Sequence, residues 1–488
     1  MGEEAGHAGM TAQEIAQAVR SGRLSAGEVV EAALARARAA EDLNFLITLD
    51  EAGARAAAGR LDALLRSGGD PGPLAGVPVV VKDNILTEGL LTTAASRSLA
   101  SFVPPLDATV VARLRRAGAV IIGKSNMDEF GMGSSNENSA FGAARNPWDR
   151  SRVPGGSSGG SAVAVAAGVV PLALGTDTGG SVRQPAAFCG VVGFKPTYGV
   201  LSRFGVIAFA SSLDQVGVLG RSGSDVELAM MALAGPDPRD ATSLPDNAFG
   251  TRQANGLEGV RIGVVTELSG EGNDPEVLEA LGGTVAALEG LGAEVEEAEL
   301  PASRYGIPTY YLVATAEASS NLSRYDGITY SRRIGENARG QAAVTMMSRG
   351  LTLGSEVRRR ILMGTYALSA GYYDAYYGKA LRVRRLISDD FERAFESFDL
   401  LLTPTTPGPA FPIGERSEDP LSMYLTDIDT CLPSLAGLPA ISVPAGFTDQ
   451  GLPCGVQLIA PPLGDSRLLR VAKALEEKAG AGFAPLAG

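Results

Sequence analysis

The sequence has 488 residues, a length that corresponds to about three ordinary domains. Of these residues 45% are hydrophobic and 20% are charged, which is typical of a globular protein. Its 42 lysines and arginines against 55 aspartates and glutamates give a formal charge of −13, so bulk electrostatics do not attract nucleic acid. The single histidine, His7 in a Gly/Glu-rich N-terminal stretch, argues against a Ser-His-Asp triad and a multi-histidine zinc site. A hydrolase of this composition would need Lys, Asp or Glu as its general base.

Cysteine usage and hydropathy indicate the compartment. Three cysteines leave at least one unpaired and none forms a C-x-x-C pair, which favours a reducing environment. The first residues lack a basic region followed by an apolar one, and no run of about 20 apolar residues occurs. We therefore expect a cytoplasmic protein without a membrane anchor.

The first 70 residues are predicted to be helical. Thr11 with Glu14, and Ser25 with Glu28, each fit a capping box before apolar residues at helical spacing. A Gly/Pro-rich loop follows at 67–73. We expect residues 1–70 to form an N-terminal helical segment that packs on a core built by residues 71–488, as one continuous fold.

The rest of the chain alternates between strand and helix patterns. Strands are predicted at 77–81, 119–123, 169–174, 260–265, 294–296, 400–402, 441–443 and 456–459, and helices at 109–117, 161–167, 356–396 and 465–478. A further helix is expected to begin at Asp274-Pro275. This alternation indicates an α/β fold with a mixed, mostly parallel central sheet covered by helices on both faces.

Two glycine–serine loops, at 153–161 and 175–181, are the main chemical signal. The first is consistent with a plain turn before a helix, a phosphate cradle, or a site with exposed backbone N–H groups. A phosphate cradle is disfavoured, since no G-x-x-x-x-G-K-[ST] pattern is present. The second loop places Ser181 behind two glycines, so that several N–H groups can point at one oxyanion. The pair of loops favours a serine nucleophile.

A serine nucleophile needs a base, and lysine is the natural candidate here. Lys82 ends an apolar run, where desolvation would lower its pKa. Lys124 and Lys195 are rival bases by the same logic. A surface lysine paired with Asp83 is the plain alternative for Lys82.

The segment from 153 to 197 resembles the signature of the amidase-signature family of serine hydrolases. This resemblance implies a single large amidase-signature fold and a Ser-cis-Ser-Lys triad. It assigns Ser181 as nucleophile, Ser157 after a cis peptide as the bridge, and Lys82 as the base, in preference to Lys124 and Lys195. It also implies that the N–H groups of the 178–181 loop form the oxyanion hole: Thr178, Gly179, Gly180 and Ser181.

Segments at 126–134, 202–205, 209–215, 317–327 and 364–377 are similar to one branch of the family, the glutaminase A subunits of aspartyl/glutamyl-tRNA(Asn/Gln) amidotransferases. That similarity implies hydrolysis of glutamine to glutamate and ammonia within a heterotrimer. The ammonia would pass to a B subunit that uses ATP and Mg²⁺ to amidate a mischarged tRNA, while a C subunit clamps the other two together. No cofactor or metal is expected in this chain itself, and the tRNA would be held mainly by B.

The same similarity implies three substrate-binding residues. Arg360 would bind the α-carboxylate of glutamine, Asp427 its α-ammonium, and Tyr310 would line the pocket. The plain alternative for Arg360 is a solvated helix face, and that for Asp427 is a helix cap. Two other functions stay open: a free-standing amidase with a more apolar pocket, and a non-catalytic scaffold subunit.

Overall fold

The computed structural model of the chain describes residues 9–245, 249, 256–335 and 337–479. His7 lies outside these residues. Local signals fix several helix starts: Thr11 and Ser25 both form the predicted capping boxes, and Asp274 caps a helix with Pro275 in its first turn.

The described residues contain eleven strands, all in one sheet. The strands are β1 (Leu46–Leu49), β2 (Pro78–Lys82), β3 (Val120–Ser125), β4 (Leu172–Asp177), β5 (Val192–Lys195), β6 (Gln215–Gly220), β7 (Arg261–Val265), β8 (Glu294–Ala298), β9 (Leu400–Pro404), β10 (Ala440–Phe447) and β11 (Pro453–Ile459). Their order across the sheet is β1-β3-β2-β4-β6-β5-β10-β11-β9-β7-β8.

Strand direction corrects one expectation. The sheet is mixed, as predicted, but parallel pairing is not dominant: within the described residues four pairs are parallel, and the other six are antiparallel. The parallel pairs lie in two groups, β3-β2-β4 and β9-β7-β8. Between these groups β6, β5, β10 and β11 run antiparallel to their neighbours. Apolar periodicity predicts that a segment is a strand but carries no information about its direction.

Fifteen α-helices surround the sheet within the described residues. They are α1 (Ala12–Arg20), α2 (Ala26–Ala39), α3 (Glu51–Arg66), α4 (Thr109–Arg116), α5 (Gly159–Ala166), α6 (Arg183–Cys189), α7 (Gly223–Leu233), α8 (Pro275–Gly290), α9 (Gly306–Asn321), α10 (Gln341–Thr352), α11 (Ser355–Leu368), α12 (Tyr377–Ser397), α13 (Pro420–Leu425), α14 (Ile428–Leu435) and α15 (Asp465–Ala479). The pattern at 356–396 is thus two helices, α11 and α12.

Helices cover both faces of the sheet. Leu400 and Leu402 belong to one hydrophobic cluster and Leu401 to another, as expected when successive strand residues point to opposite faces. The first cluster includes residues of α2, α5, α7, α8 and α15, and the second residues of α9, α11, α12 and α14. In the N-terminal segment, β1 pairs with β3 and α2 contributes to the first cluster. The division of the chain at residue 70 stays a prediction.

Candidate active site

Two neighbouring parallel strands bring the predicted catalytic residues to one edge of the sheet. Lys82 is the last residue of β2, and Asp177 is the last residue of β4. Because β2 and β4 pair in parallel, their carboxyl ends lie side by side. The loop after β4 carries Ser181, and the glycine–serine loop before α5 carries Ser157.

Lys82 is fully buried and has three polar neighbours. Its Nζ lies 2.8 Å from the hydroxyls of Ser157 and Ser158, and 3.2 Å from the carbonyl oxygen of Thr176. Burial lowers the pKa of Lys82 to about 7, although the charges of three nearby aspartates, including Asp128, favour the ammonium. Near neutral pH a large fraction of this amine is uncharged and can accept a proton.

The rival lysines are also buried but face other groups. Nζ of Lys124 donates to the carbonyl of Ile85 at 2.7 Å and to the hydroxyl of Thr92 at 2.8 Å. Lys195 donates to the carbonyls of Pro196 and Leu438. Among the three lysines, only Lys82 has hydrogen bonds to the glycine–serine loop within the described part of the chain.

The loop that carries Ser157 is fixed on both sides. The peptide bond between Gly156 and Ser157 is cis, as the resemblance implies. The N–H of Gly156 donates to Oε1 of Gln184 at 2.9 Å, and a side chain at position 156 would collide with the carboxylate of Asp128. Asp128 accepts the N–H groups of Asn136 and Asn138 at 2.9 and 3.1 Å. The loop conformation therefore depends on glycine at 156.

Ser181 lies against this loop through its backbone. Its carbonyl accepts the N–H of Ser158 at 3.0 Å, and the residue is 8% exposed. Within the described residues its hydroxyl has no hydrogen bond, and none joins the side chains of Ser157 and Ser181. Ser157 is thus hydrogen bonded to Lys82, whereas the Ser181 hydroxyl has no hydrogen-bond partner among the described residues.

One member of the expected oxyanion hole points elsewhere. The N–H of Gly180 donates to Oδ1 of Asp177 at 2.8 Å, so it is not free to bind an oxyanion. Asp177 attracts this donor because it is a buried carboxylate at the turn after β4. In the described chain the N–H groups of Thr178, Gly179 and Ser181 have no partner, and they stay predicted donors.

Asp177 itself is held by a buried ion pair. Arg183 donates to it through Nε at 3.0 Å and Nη2 at 2.9 Å, with both side chains fully buried. Burial raises the pKa of Asp177, but the charge and hydrogen bonds of Arg183, together with the charge of Lys195 and the N–H of Val182, outweigh burial and hold this pKa below its usual range. This bidentate pair fixes the turn that presents Ser181.

Arg360 is buried, whereas its neighbours Arg358 and Arg359 are exposed. This excludes the solvated-face alternative for Arg360. Its Nε donates to Oε1 of Glu356 at 2.7 Å, one helical turn earlier, and the guanidinium lies over the rings of Tyr311 and Tyr424 at 5.1 and 5.5 Å. Glu356 and the aromatic rings orient the guanidinium, and its two Nη groups can bind a carboxylate.

Asp427 is buried beside the catalytic loops. Its Oδ2 accepts the hydroxyl of Ser134 at 2.5 Å, and burial raises its pKa to about 7, against the charge of Arg360. Asp427 occupies the N-cap position of α14 but makes no side-chain cap bond, so the helix-cap alternative is not supported. Thr430, one turn later, donates to the carbonyl of Gly179 at 2.8 Å and connects α14 to the 178–181 loop.

Tyr310, on α9, lies directly on the loop that carries Ser181. A side chain at Gly179 would overlap its phenol ring. Tyr310 also packs edge to face on Tyr311, with ring centroids 5.1 Å apart. The structure therefore brings Tyr310 and the first turn of α14, which follows Asp427, to this loop, and Arg360 lies over the neighbouring ring of Tyr311.

Sequence reasoning missed three polar residues of this site. Ser158 could have been noticed because it lies next to Ser157 in the same loop. Glu356 precedes Arg360 by four residues, the spacing of a helical ion pair, which was an available signal. Ser134 offers no comparable signal in a single sequence, because its contact with Asp427 joins residues far apart in the chain.

Cys189, Cys431 and Cys454 are free and buried. No group of three or more His, Cys, Asp or Glu side chains among the described residues is arranged to hold a metal ion. None of the described helices is both long and apolar enough to cross a membrane.

Comparisons with known proteins identify the family of the chain. The A subunit of glutamyl-tRNA(Gln) amidotransferase from Deinococcus radiodurans is 56% identical over 475 residues, covering 96% of each chain. The same-named protein of Symbiobacterium thermophilum is 56% identical over 463 residues, covering 94% of each. The crystal structure of the A subunit of glutamyl-tRNA(Gln) amidotransferase from Thermotoga maritima is 42% identical, with a TM-score of 0.80 over 96% of this chain and 95% of that one. The Amidase family profile matches residues 28–469, and the chain therefore belongs to the amidase family.

Proposed function

We propose that this chain is the glutaminase subunit of a tRNA-dependent amidotransferase, with Ser181, Ser157 and Lys82 as its catalytic residues. The observation that carries the proposal is the 2.8 Å hydrogen bond between buried Lys82 and Ser157. The similarity to the A subunits of glutamyl-tRNA(Gln) amidotransferases across nearly the whole chain supports the choice of glutamine as substrate.

Acylation begins with Ser181 attacking the carboxamide carbon of glutamine. The hydroxyl proton of Ser181 passes to Ser157, whose own proton passes to neutral Lys82; a hydroxyl can donate and accept at once. With a pKa of about 7, about half of Lys82 is neutral at pH 7, against about one in 2,500 for an ordinary lysine. The N–H groups of Thr178, Gly179 and Ser181 stabilise the oxyanion.

The tetrahedral intermediate collapses when the proton on Lys82 returns through Ser157 to the leaving nitrogen. Ammonia departs and a glutamyl ester remains on Ser181. Water then attacks the ester, with Lys82 again accepting a proton through Ser157, and Ser181 recovers its hydrogen as glutamate leaves. The balance is glutamine plus water giving glutamate plus ammonia.

Glutamine is recognised at its zwitterionic end. The guanidinium of Arg360 binds the α-carboxylate, because its Nε is already engaged by Glu356 while its two Nη groups have no hydrogen bond among the described residues. Asp427 binds the α-ammonium, and this cation in turn stabilises the charged form of the Asp427 carboxylate. Tyr310, which packs against Gly179 of the Ser181 loop, lines the pocket.

The ammonia serves a second reaction in partner subunits. In this proposal it passes to a B subunit that uses ATP and Mg²⁺ to amidate mischarged Glu-tRNA(Gln) or Asp-tRNA(Asn), and a C subunit holds the glutaminase and B together. The acidic charge of the chain fits a division in which B holds most of the tRNA.

The Ser181→Ala variant tests the proposal in the assembled complex. We expect it to abolish glutamine hydrolysis while amidation driven by added ammonium salts continues at the wild-type rate. Retained glutaminase activity would refute the nucleophile. Wild-type turnover of aryl amides but not of glutamine would instead identify a free-standing amidase.

A further inference from the structure

A solvent-exposed groove lies between two short helices beside the active site. α10 ends at Thr352 and α11 starts at Ser355, so only two residues separate the two helices. The groove has a volume of about 820 Å³. Its α10 wall follows one helical face, with Ala342, Met346 and Arg349 among the lining residues, and its α11 wall includes Arg358 and Leu362.

Large apolar side chains project around this groove. Met346 is 77% exposed, Leu362 is 70% exposed and Leu351 is 60% exposed. Met347, Met363 and Tyr366 extend the apolar surface along the same two helices. Contiguous apolar surface of this kind, rimmed by charge, is typical of an interaction site.

The rim of the groove is basic in an otherwise acidic chain. Two arginines, Arg349 and Arg358, line the groove and none of its lining residues is acidic, while the whole chain carries a net charge of −13. Glu356 is buried and paired with Arg360 and Arg359, so it does not neutralise the rim. Charge complementarity therefore favours an occupant with carboxylates beside its apolar face.

The opposite face of α11 belongs to the active site. Val357, Arg360 and Gly364 are buried against the core, and Gly364 lies so close to the backbone of Thr315 on α9 that a side chain there would clash. The helix that forms one wall of the groove is therefore held rigidly and carries the proposed carboxylate ligand on its inner side. A partner seated in the groove would lie within one helix diameter, about 10 Å, of the glutamine site.

We propose that the α10–α11 groove binds an amphipathic helix of a partner subunit, with apolar residues that cover Met346 and Leu362 and carboxylates that face Arg358. This inference rests on the proposed function, since it requires partner subunits. A third helix laid between two others buries their exposed apolar residues, and α10 provides about 18 Å of surface for it.

The test measures assembly of the full chain with the purified partner subunits by isothermal titration calorimetry. We expect Met346→Glu and Leu362→Glu each to weaken the affinity at least about tenfold. Met231→Glu is the matched control, because Met231 is 61% exposed on α7, outside the groove. This variant should bind the partner subunits with wild-type affinity. Arg358→Glu should weaken binding at low salt and less so at about 1 M salt. Unchanged melting temperatures establish that the variants are folded.

Each other result overturns the proposal in an identifiable way. If wild type binds the partners and the two groove variants bind equally well, the groove is not the interface. If Leu362→Glu abolishes self-association of the chain in sedimentation velocity, the occupant is a second copy. If it abolishes binding to vesicles containing phosphatidylglycerol, the occupant is a membrane. If wild type binds no partner subunit, the proposed function itself has failed.

Discussion

Lys82 is hydrogen bonded to Ser158 at the same distance, 2.8 Å, as to Ser157. A neutral amine has two hydrogens and one lone pair. If Ser158 and the carbonyl of Thr176 accept the two hydrogens, the lone pair points at Ser157. In the proposed mechanism Ser158 is therefore a positioning residue, and Ser157 alone would relay the proton.

This geometry predicts unequal effects of two neighbouring serine substitutions. Ser157→Ala removes the proton relay and should lower kcat for glutamine about 10²- to 10⁴-fold. Ser158→Ala removes one acceptor of Lys82 and the bonds of this hydroxyl to the backbone of Thr176. Because Thr176 and Ser157 still hold Lys82, this variant should lower kcat about tenfold with KM unchanged. Steady-state kinetics of the assembled complex give both values. Equal losses in the two variants would mean that Ser158 also transfers the proton.

The pH dependence should show two ionisations near neutrality. Burial brings the pKa of both Lys82 and Asp427 to about 7, and both groups act in their deprotonated forms. We therefore expect log kcat/KM to rise with pH below 7 with a slope approaching 2 and to level off above it. Asp427→Asn should reduce the slope to 1 and raise KM. A rise centred near pH 10 in wild type would show that Lys82 titrates as an ordinary lysine.

The buried Lys82 should also lower the stability of the folded chain. Its folded pKa of about 7 lies below the unfolded value of about 10.4, so between these values the unfolded chain binds more protons and stability rises with pH. Below pH 7 the full cost is present, and above about 10.4 it vanishes. Lys82→Met should therefore be inactive yet melt at a higher temperature than wild type at pH 7, with the difference shrinking towards pH 10. Melting curves at both pH values provide the measurement. A variant that melts below wild type at pH 7 would contradict this cost.

Glutamine affinity should depend on the shape of the Arg360 side chain. Arg360→Lys keeps the charge but loses the fork and the interaction with the rings of Tyr311 and Tyr424. We expect KM for glutamine to rise about 10- to 100-fold with kcat within about threefold. Arg358→Lys, which changes an exposed side chain of the same helix whose hydrogen bond is to the carbonyl of Gly350, is the control and should leave KM within about threefold. A selective fall in kcat would place Arg360 in the chemical step.

Local signals in the sequence predicted local structure well. The capping boxes at Thr11 and Ser25 and the proline start at Pro275 are correct because a cap depends only on residues a few positions apart. The strands β1, β5 and β6 were missed because they are short or rich in glycine. Strand direction was misjudged because it depends on pairing between distant segments.

The active site shows the same contrast between local signals and contacts that join distant segments. The signature loops contain Ser157 and Ser181, and Lys82 ends a recognisable strand, but only the family resemblance selects Lys82 over Lys124 and Lys195. The direction of the Gly180 N–H could not be foreseen, because it depends on where Arg183 holds the carboxylate of Asp177. The contact between Ser134 and Asp427 likewise exists only in the folded chain.

The packing of Tyr310 on the nucleophile loop gives the last prediction. Gly179 lies against the ring of Tyr310 without room for a side chain, so Gly179→Ala must displace either the ring or the loop of Ser181. We expect glutaminase activity to fall at least about 10²-fold, since a shift of about 1 Å misplaces the nucleophile and the oxyanion donors. Gly283→Ala is the matched control, because position 283 in α8 has open space around it, and it should keep full activity and gain about 0.5–1 kcal/mol of stability. Full activity in Gly179→Ala would show that Tyr310 can move away at no cost and is not a fixed wall of the glutamine pocket.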